Sequence, residues 1–518
     1  MSGFPMISFL TFLPLVGALL LLGLEESRQQ FARSLALLFS LLTLGGALVL
    51  WNSFDATKGG MQFVEKHDWV PSLAMQYNVG IDGLGLLMIL LTTLLVPISI
   101  LASSRISGKA SSYFSLMLML ECGLLGTFTA LNFCHWFIFW ELGLIPAFFL
   151  IKLWGGNRSS AAATQFFVYT MVGSVAMLLA FLGMYLAVRT FDFQQLADLG
   201  RSGELAKKLD WVLNKHALPR DFFPMLIFGG VLLGFAVKVP LIPFHTWLPE
   251  AYSQAPTSVT MLLTGLMSKM GVYGLLRILL PIFPDQMRAM LTPLLWLAVA
   301  TIVLSACAAF AQRDLKKVFA YSSINHLGYC MLGIFAVASL TGNEEASKVE
   351  KVAALSGVIL QMFNHGLTAS ILFCFIGLIE QRSGGLRGMG DFGGLRKVAP
   401  VFCGLMGIAI FASLGLPGLN GFVGEFLIFK GAFPLATWAT SLSVIGLLVT
   451  AIFLLTVLQR VFSGPLNEKW SGFPDLTVGE RFLVVPALVL MLIIGIFPQL
   501  LIGKINATVV QMVAQLVN

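Results

Sequence analysis

Residues 234–277 read GFAVKVPLIPFHTWLPEAYSQAPTSVTMLLTGLMSKMGVYGLLR, and they are the most informative segment of the chain. It contains apolar runs interrupted by two lysines, Lys238 and Lys269, with several prolines between them. A lysine at the centre of a hydrophobic helix costs roughly 2.5–3.5 kcal/mol on insertion scales and usually marks an ion or proton pathway. Broken helices occur at membrane depth only where they are buried in protein or line a cavity. The stretch therefore predicts the centre of a charge-translocating channel.

Composition places the whole chain in the membrane. Hydrophobic residues make up 57% of the 518 residues and charged residues 11%. Apolar runs of about 20 residues recur throughout, each long enough to cross a bilayer, which predicts an all-α polytopic membrane protein. The net charge of +7 comes from basic residues scattered singly among the loops, and this pattern indicates membrane topology rather than a nucleic-acid partner. The six cysteines show no CxxC spacing, so we expect neither a metal site nor a disulfide framework.

The apolar runs predict about fourteen transmembrane helices. The amino terminus lacks a signal-peptide pattern, so we expect residues 6–24 to remain as the first span. Loops after odd-numbered spans, leaving aside the loop that joins spans 7 and 8, carry a positive excess, and the other loops are balanced, which predicts both termini on the outer side. The expected spans are about 6–24, 32–51, 82–102, 113–133, 135–152, 164–188, 222–242, 257–280, 291–310, 319–340, 352–380, 402–432, 437–460 and 481–503.

Few charges lie within these spans. Glu121, Glu141, Lys238, Lys269 and Glu425 are the deep set, and none of them is adjacent in sequence to an opposite charge. We therefore expect them to be solvated across helices, by each other or by water. Other charges, such as those at positions 82 and 277, lie near span ends, where a long side chain can reach the interface.

Two spans look interrupted, and they are five apart in order. The seventh breaks after Lys238 at Pro240 and Pro243, and the twelfth breaks within residues 415–426, GLPGLNGFVGEF, which contain Glu425. Paired interrupted spans, each with an ionisable residue beside the break, are typical of repeated transporter halves.

Three histidines are candidates for proton transfer. His245, His326 and His365 lie among serine, threonine and asparagine residues within or beside apolar runs. Histidine titrates near neutral pH and can pass on a proton, although a buried histidine can also be a purely structural one. No haem, iron–sulfur or phosphate-loop pattern is present in the sequence, so we expect the chain to hold no cofactor and no redox centre of its own.

Several long segments resemble the antiporter-like proton-channel subunits of respiratory complex I, and in particular their M-type branch. The likeness runs from about residue 78 to 440. The segments that carry it are NVGIDGLGLLMILLT (78–92), LWGGNRSSAAATQFFVYT (153–170), FAVKVPLIPFHTWLPEAYSQAP (235–256), AYSSINHLGY (320–329) and LPGLNGFVGEF (416–426).

The resemblance implies a fold with fourteen helices and two inverted five-helix repeats, helices 4–8 and 9–13, in which helices 7 and 12 are broken. The implied domains are residues 1–110 with helices 1–3, 111–285 as the first half-channel, 286–465 as the second half-channel, and 466–518 with helix 14. On this pattern Glu141 and Lys238 form a coupling pair and Lys269 is the lysine of the central axis.

The resemblance also assigns the outer part of the pathway. His326 and His365 are implied to link the central lysine onward, and Glu425 is implied to be the exit-side group. Glu121 matches a further membrane carboxylate of the family, and we treat it, with His245, as secondary. Glu425 discriminates within the family, because the L-type and N-type subunits and stand-alone cation/proton antiporters usually carry lysine at that position.

The function implied is proton translocation in the membrane arm of an NADH:quinone oxidoreductase in the bacterial inner membrane. NADH, FMN, iron–sulfur clusters and quinone are then expected in partner subunits, and the L-type and N-type subunits and lipids are the expected neighbours. Three alternatives remain: a subunit of a multisubunit cation/proton antiporter, a subunit of a related membrane hydrogenase or photosynthetic dehydrogenase, and a purely structural membrane scaffold. The deep charges argue against the last.

Overall fold

The computed structural model describes residues 4–25, 28–73, 75–103, 106, 108–213, 218–339 and 344–517, and most of these residues are helical. The helices are α1 Met6–Leu22, α2 Gln29–Ser53, α3 Gly83–Ala102, α4 Ala110–Thr129, α5 Phe133–Trp154, α6 Ser159–Val188, α7 Phe193–Arg201, α8 Glu204–Leu213, α9 Phe222–Lys238, α10 Trp247–Gln254, α11 Thr257–Ile282, α12 Pro284–Ala289, α13 Leu291–Ala311, α14 Leu315–Val337, α15 Glu344–Arg382, α16 Pro400–Ser413, α17 Asn420–Leu435, α18 Thr437–Phe462, α19 Val478–Ile496 and α20 Gln499–Val517. The two strands are β1 Gln62–Val70 and β2 Met75–Ile81.

The helices confirm a polytopic membrane protein. Within the described residues, ten helices are long and apolar enough to cross a membrane: α2, α3, α4, α5, α6, α11, α13, α15, α18 and α19. Three shorter apolar helices, α1, α9 and α16, add to them. Every predicted span overlaps at least one helix, but the count of fourteen crossings and the inverted symmetry of the repeats stay predictions.

Helix breaks occur in both places that the sequence indicates. The seventh predicted span, 222–242, contains α9 and the start of the break at residues 239–246, and α10 follows within the predicted loop. The twelfth predicted span, 402–432, contains α16 and α17, separated by residues 414–419. Proline explains the first break because it lacks a backbone N–H and its ring clashes with the preceding turn. In the second break Gly415 and Gly418 have φ values of +77° and +93°, which side chains disfavour.

The helix that carries Lys269 is continuous but irregular. Residues 263–267 and 275–279 of α11 form π-helical turns on either side of this lysine, and every residue from Ser258 to Leu276 is buried. Single π turns inside α-helices are rare and frequently occur at functional sites.

Residues 52–81 hold the one extended element in the described chain. β1 and β2 pair antiparallel, whereas the sequence predicted only helices and loops. Glu65 on β1 accepts hydrogen bonds from the backbone N–H groups of Ile7 at 2.8 Å and Ser8 at 3.1 Å, so the hairpin caps the start of α1. Helices begin with backbone N–H groups that have no partner within the helix, and a carboxylate satisfies them well.

Arg277 was expected near a span end, where it could reach the interface, but it is instead paired inside the protein. Its Nη2 lies 2.6 Å from Oδ1 of Asp82, and both side chains are largely buried. Asp82 also caps α3 by accepting from the backbone N–H of Gly85 at 3.1 Å. The pair therefore ties α11 to the start of α3, because two buried opposite charges that hydrogen-bond each other replace the water that each would need.

The last predicted span, 481–503, is wrong at its end. α19 stops at Ile496, and α20 begins at Gln499. Pro498 follows Phe497, and a residue before proline is disfavoured in the helical conformation. Lys504 on α20 donates to the carbonyl oxygens of Trp51 at 3.1 Å and Phe54 at 3.3 Å, which joins the end of the chain to the end of α2.

Candidate functional site

Lys238 is the last residue of α9 and lies directly before the break. It is 2% exposed, and within the described chain its Nζ has no hydrogen-bond partner. The ammonium lies 4.8 Å from the centre of the Trp140 ring on α5. The carboxyl end of a helix carries a partial negative charge that favours a cation, so the break places this lysine where a helix end supports its charge.

Glu141, the predicted partner of Lys238, directly follows Trp140 on α5. It is close enough to Lys238 for an electrostatic interaction. No ion pair of 4.0 Å or less joins the two residues, and both carboxylate oxygens of Glu141 lack a hydrogen-bond partner among the described residues. The structure therefore brings the predicted pair into one neighbourhood but holds its charges apart.

Lys269 lies at the centre of α11 and is fully buried. Its Nζ donates to the carbonyl oxygen of Thr264 at 2.5 Å and to Oγ of Ser268 at 3.4 Å, and lies 2.8 Å from Nδ1 of His365 on α15. An ammonium can only donate, so when Lys269 is charged Nδ1 of His365 is the acceptor and the hydrogen of the neutral ring is on Nε2.

The contact continues from His365 to a second histidine. The rings of His365 and His326 on α14 lie 5.1 Å apart at their centres and are tilted by 35°. His326 Nδ1 is 3.0 Å from Oε1 of Glu425 on α17, and its Nε2 is 3.2 Å from Oγ of Ser413. An ionised carboxylate accepts only, so Nδ1 of His326 then carries a hydrogen and the ring can accept from Ser413 through Nε2.

Lys269, His365, His326 and Glu425 thus form one line of side chains across α11, α15, α14 and α17, which we call the central polar chain. All four are buried, none being more than 6% exposed. Successive members are in direct hydrogen-bond contact except at the two histidines, whose rings face each other. Such a line can pass a proton by local transfers and ring reorientation, because lysine, histidine and glutamate each bind and release protons.

The break before α17 shapes the outer member of this chain. A β-carbon built on Gly415 would lie 2.7 Å from Oε2 of Glu425, so the carboxylate is close to the backbone of the break. Asn420 at the start of α17 donates to the carbonyl oxygen of Asn364 at 3.2 Å and receives from the side chain of Asn364 through its own carbonyl at 2.7 Å. These reciprocal bonds fix the start of α17 beside His365.

The two secondary candidates lie outside the central polar chain. Glu121 on α4 is fully buried, and neither of its oxygens has a hydrogen-bond partner in the described part of the chain. His245 lies half-buried in the break between α9 and α10, and its ring is 6.1 Å from that of Tyr321. Neither residue contacts a member of the central polar chain through a hydrogen bond that the structure describes.

Sequence reasoning missed two neighbours of Glu425 and His326. Gln361 donates from Nε2 to Oε1 of Glu425 at 3.2 Å, and Ser413 contacts His326 as described above. Gln361 lies four residues before His365, hence on the same face of α15. Ser413 is the last residue of α16 and directly precedes the break. Polar residues one turn from a candidate histidine, or beside a helix break, were the available signal.

A second group of charges joins α10, α14 and α15 at one end of the bundle. Lys317 pairs with Glu250 at 2.5 Å, and Lys316 pairs with Glu380 at 3.0 Å. Arg387 adds an ion pair with Asp314 at 3.2 Å. This network ties α10, the short helix after the first break, to the two helices that carry His326 and His365. It explains why Glu250, although close to the proline-rich break, is not part of the buried chain.

No group of three or more histidine, cysteine, aspartate or glutamate side chains in the described ranges is arranged to hold a metal ion. The described cysteines are all free thiols. Chemically, the site is a buried line of side chains that are able to bind and release protons.

Comparisons with known proteins agree with this architecture. The family model described as "NADH:quinone oxidoreductase/Mrp antiporter, TM" matches residues 130–452. A protein of Rickettsia bellii named NADH-quinone oxidoreductase subunit M is 32% identical over 98% of both chains. A protein of Methanosarcina mazei named F(420)H(2) dehydrogenase subunit M is 35% identical over 95% of both chains.

Solved structures give the same fold. A chain of respiratory complex I from Thermus thermophilus with bound NADH superposes with a TM-score of 0.83 at 28% identity, covering 98% of this chain and 99% of that one. A chain of the Mrp complex from Dietzia superposes with a TM-score of 0.82 at 19% identity over the whole of both chains. The latter likeness concerns the fold alone.

Proposed function

Since the chain belongs to the NADH:quinone oxidoreductase/Mrp antiporter transmembrane family, we propose that it is the M-type, proton-translocating subunit in the membrane arm of an NADH:quinone oxidoreductase. The observation that carries the proposal is the central polar chain, in which each side chain contacts the next across four helices. Its order in space is Lys269, His365, His326 and Glu425. A structural scaffold has no need of buried titratable groups in line, because each costs desolvation free energy.

The first half of the mechanism takes place at Glu141 and Lys238. The two charges attract when they approach and release each other when they separate. At about 6 Å and an effective dielectric constant near 20 the interaction is roughly 2.8 kcal/mol, which changes a proton equilibrium by about a hundredfold. Opening and closing this pair therefore changes how tightly Lys238 holds its proton. A proton on Lys238 in turn repels a proton on Lys269, since both lie in surroundings of low dielectric constant.

The second half passes the proton along the central polar chain. Lys269 gives its proton to Nδ1 of His365, to which it is already hydrogen-bonded. Loss of the Nε2 proton of His365 toward His326 and rotation of the rings carry the charge onward, and His326 delivers it to the carboxylate of Glu425. Release from Glu425 to the outer side resets the chain. Each proton moved against about 150 mV requires roughly 3.5 kcal/mol.

The free energy for this step comes from electron transfer in other subunits. We propose that NADH, FMN, iron–sulfur clusters and quinone are bound by partners and that this chain holds no redox centre. Its neighbours in the membrane arm are the L-type and N-type antiporter-like subunits and lipids. The termini lie on the outer side of a bacterial inner membrane, and the two half-channels comprise residues 111–285 and 286–465.

The test uses the intact complex reconstituted in vesicles. Lys238→Ala and Glu425→Ala should each abolish proton uptake driven by NADH, while the complex still assembles and still passes electrons from NADH to an artificial acceptor. Lys430→Ala is the control, because Lys430 is an exposed lysine on the same helix as Glu425. Full pumping by both alanine variants would overturn the proposal.

A related complex with a different electron donor is the second candidate. The relative named F(420)H(2) dehydrogenase subunit M is as similar to this chain as the NADH-quinone oxidoreductase relatives. The chains that co-purify with this protein distinguish the two, because a subunit that oxidises NADH is expected in one case and a subunit that oxidises F(420)H(2) in the other. Glu425 argues against a cation/proton antiporter, in which lysine is expected at this position.

A further inference from the structure

An aromatic ring faces the charge of Lys238. The Nζ atom lies 4.8 Å from the centre of the Trp140 indole, and the side chains are 2% and 1% exposed. Among the described residues, no group accepts a hydrogen bond from this ammonium. A cation within about 6 Å of a tryptophan ring is attracted by its electron-rich face, most strongly where water is excluded. The indole face therefore stabilises this charge, together with the end of α9 and the nearby carboxylate of Glu141.

The ring is held in place independently of the lysine. Its Nε1 donates to Oγ of Ser174 on α6 at 3.0 Å. Trp136, one turn earlier on α5, stacks on it with ring centres 4.7 Å apart. Phe235, one turn before the lysine on α9, meets it edge-on at 5.9 Å. Contacts with α5, α6 and α9 therefore fix the plane of the indole without any contribution from the ammonium.

Trp140 and the partner carboxylate are consecutive residues. Glu141 interacts electrostatically with Lys238 without an ion pair of 4.0 Å or less, and its own oxygens have no partner within the described residues. The lysine therefore has two alternative neighbours on the same turn of α5. Its flexible four-carbon stem can move the ammonium from the ring to the carboxylate by side-chain rotation, with no shift of a helix.

We propose that the Lys238 ammonium binds against the indole face of Trp140 when it is separated from the carboxylate of Glu141. Trp140 is then a positioning residue: it lets Lys238 keep its proton and its position after the carboxylate has withdrawn. The inference rests on the proposed function, since it assigns the open state of the coupling pair. Other titratable groups on the surrounding segments include Lys269, Tyr273 and Arg277 on α11, Tyr169 on α6 and His245 in the break. None of them shows a hydrogen bond to Lys238.

The test compares proton pumping by the intact complex in vesicles between about pH 6 and pH 9. Trp140→Leu removes the aromatic face, so Lys238 should lose its proton more readily. The alkaline limb of the pumping profile should move to lower pH by roughly 0.5–1.5 units. Trp140→Phe should shift the limb less, because a weaker face remains. Phe139→Leu is the control, since it removes a buried neighbouring ring that stacks on His135 and not on the lysine.

A second measurement covers the case in which Trp140→Leu fails to assemble. Fluorinated tryptophans placed at position 140 keep the shape of the ring and withdraw electrons from its face, so the alkaline limb should move stepwise with the number of fluorine atoms. If the alkaline limb of the pumping profile stays at the same pH throughout this series, Trp140 does not bind the Lys238 ammonium and the proposal is wrong. If instead Lys238→Ala and Glu425→Ala both keep full pumping, the proposed function fails, and that outcome is read separately from the fluorine series.

Discussion

His326 and Glu425 are 99 residues apart in the sequence, yet 3.0 Å separates Nδ1 of the imidazole from Oε1 of the carboxylate. The contact crosses from α14 to α17, the second half of a broken helix. Without the break at residues 414–419, α17 could not begin where its first turns face the histidines. The interruption that looks costly in the sequence is thus what lets a carboxylate meet a histidine inside the bundle.

The first prediction concerns the proton-carrying role of His326. In His326→Gln the amide still offers hydrogen bonds to Glu425 and Ser413 but cannot pick up and release a proton. Proton translocation by the reconstituted complex should fall at least tenfold, since general acid–base groups typically contribute about 10²–10⁴-fold. The matched variant is His67→Gln, an exposed histidine on β1, which should leave pumping unchanged. Equal pumping by the two variants contradicts the relay.

The second prediction tests the space beside the exit-side carboxylate. In Gly415→Ala the new β-carbon would lie 2.7 Å from Oε2 of Glu425, so the carboxylate must leave the position in which it meets His326. Pumping should drop severalfold while electron transfer to an artificial acceptor is kept.

Gly418→Ala separates this effect from backbone strain. Gly418 also has a positive φ, +93°, but within the described residues nothing lies within 4 Å of an added β-carbon. Both substitutions should cost about 1–2 kcal/mol of folding free energy for the left-handed backbone. Only Gly415→Ala should also reduce pumping, and an equal loss in both variants would point to strain alone.

The four members of the central polar chain could be picked out from the sequence as candidates, whereas their neighbours Gln361 and Ser413 were not. An isolated Lys269 or Glu425 in an apolar run is costly in lipid, so such residues can be recognised without a structure. The order of contacts was not available in the same way. His365 meets Lys269 because α15 packs against α11, and the packing of helices that are far apart in sequence leaves no periodic signal in either one.

Two other features escaped prediction for different physical reasons. The separation of Glu141 from Lys238 depends on side-chain rotamers, which a sequence does not specify. The hairpin of β1 and β2 follows Gly59 and Gly60 and contains polar residues, so beside long apolar runs it resembles an ordinary loop. Its role becomes visible only where Glu65 meets the start of α1.

The third prediction concerns the stability of the buried ion pair. Arg277→Met leaves Asp82 charged and unpaired inside the protein, which should cost about 3–5 kcal/mol of folding free energy and lower the thermal unfolding temperature of the detergent-purified protein. The double variant Arg277→Met, Asp82→Asn should recover much of the loss, because asparagine keeps the cap of α3 and carries no charge.

An exposed ion pair is the control for that measurement. Lys58 and Asp55 lie 3.3 Å apart, with side chains 71% and 41% exposed. Lys58→Met should therefore change the unfolding free energy by no more than about 1 kcal/mol. If Arg277→Met is as mild as Lys58→Met, the buried pair does not hold α11 to α3.

The fourth prediction separates a fixed charge at position 269 from a charge that comes and goes. Lys269→Arg keeps a cation on α11, but a guanidinium does not release its proton at any physiological pH. If Lys269 acted only through a static positive charge, this variant would pump.

The proposed step transfers a proton from Nζ of Lys269 to Nδ1 of His365 across 2.8 Å. We therefore expect Lys269→Arg to lose pumping as fully as Lys269→Met, measured as protons taken up per NADH oxidised. Lys430→Arg is the matched control at an exposed position and should pump normally. A Lys269→Arg complex that retains half of the normal proton uptake would show that the lysine never gives up its proton, and the relay would then have to begin at His365.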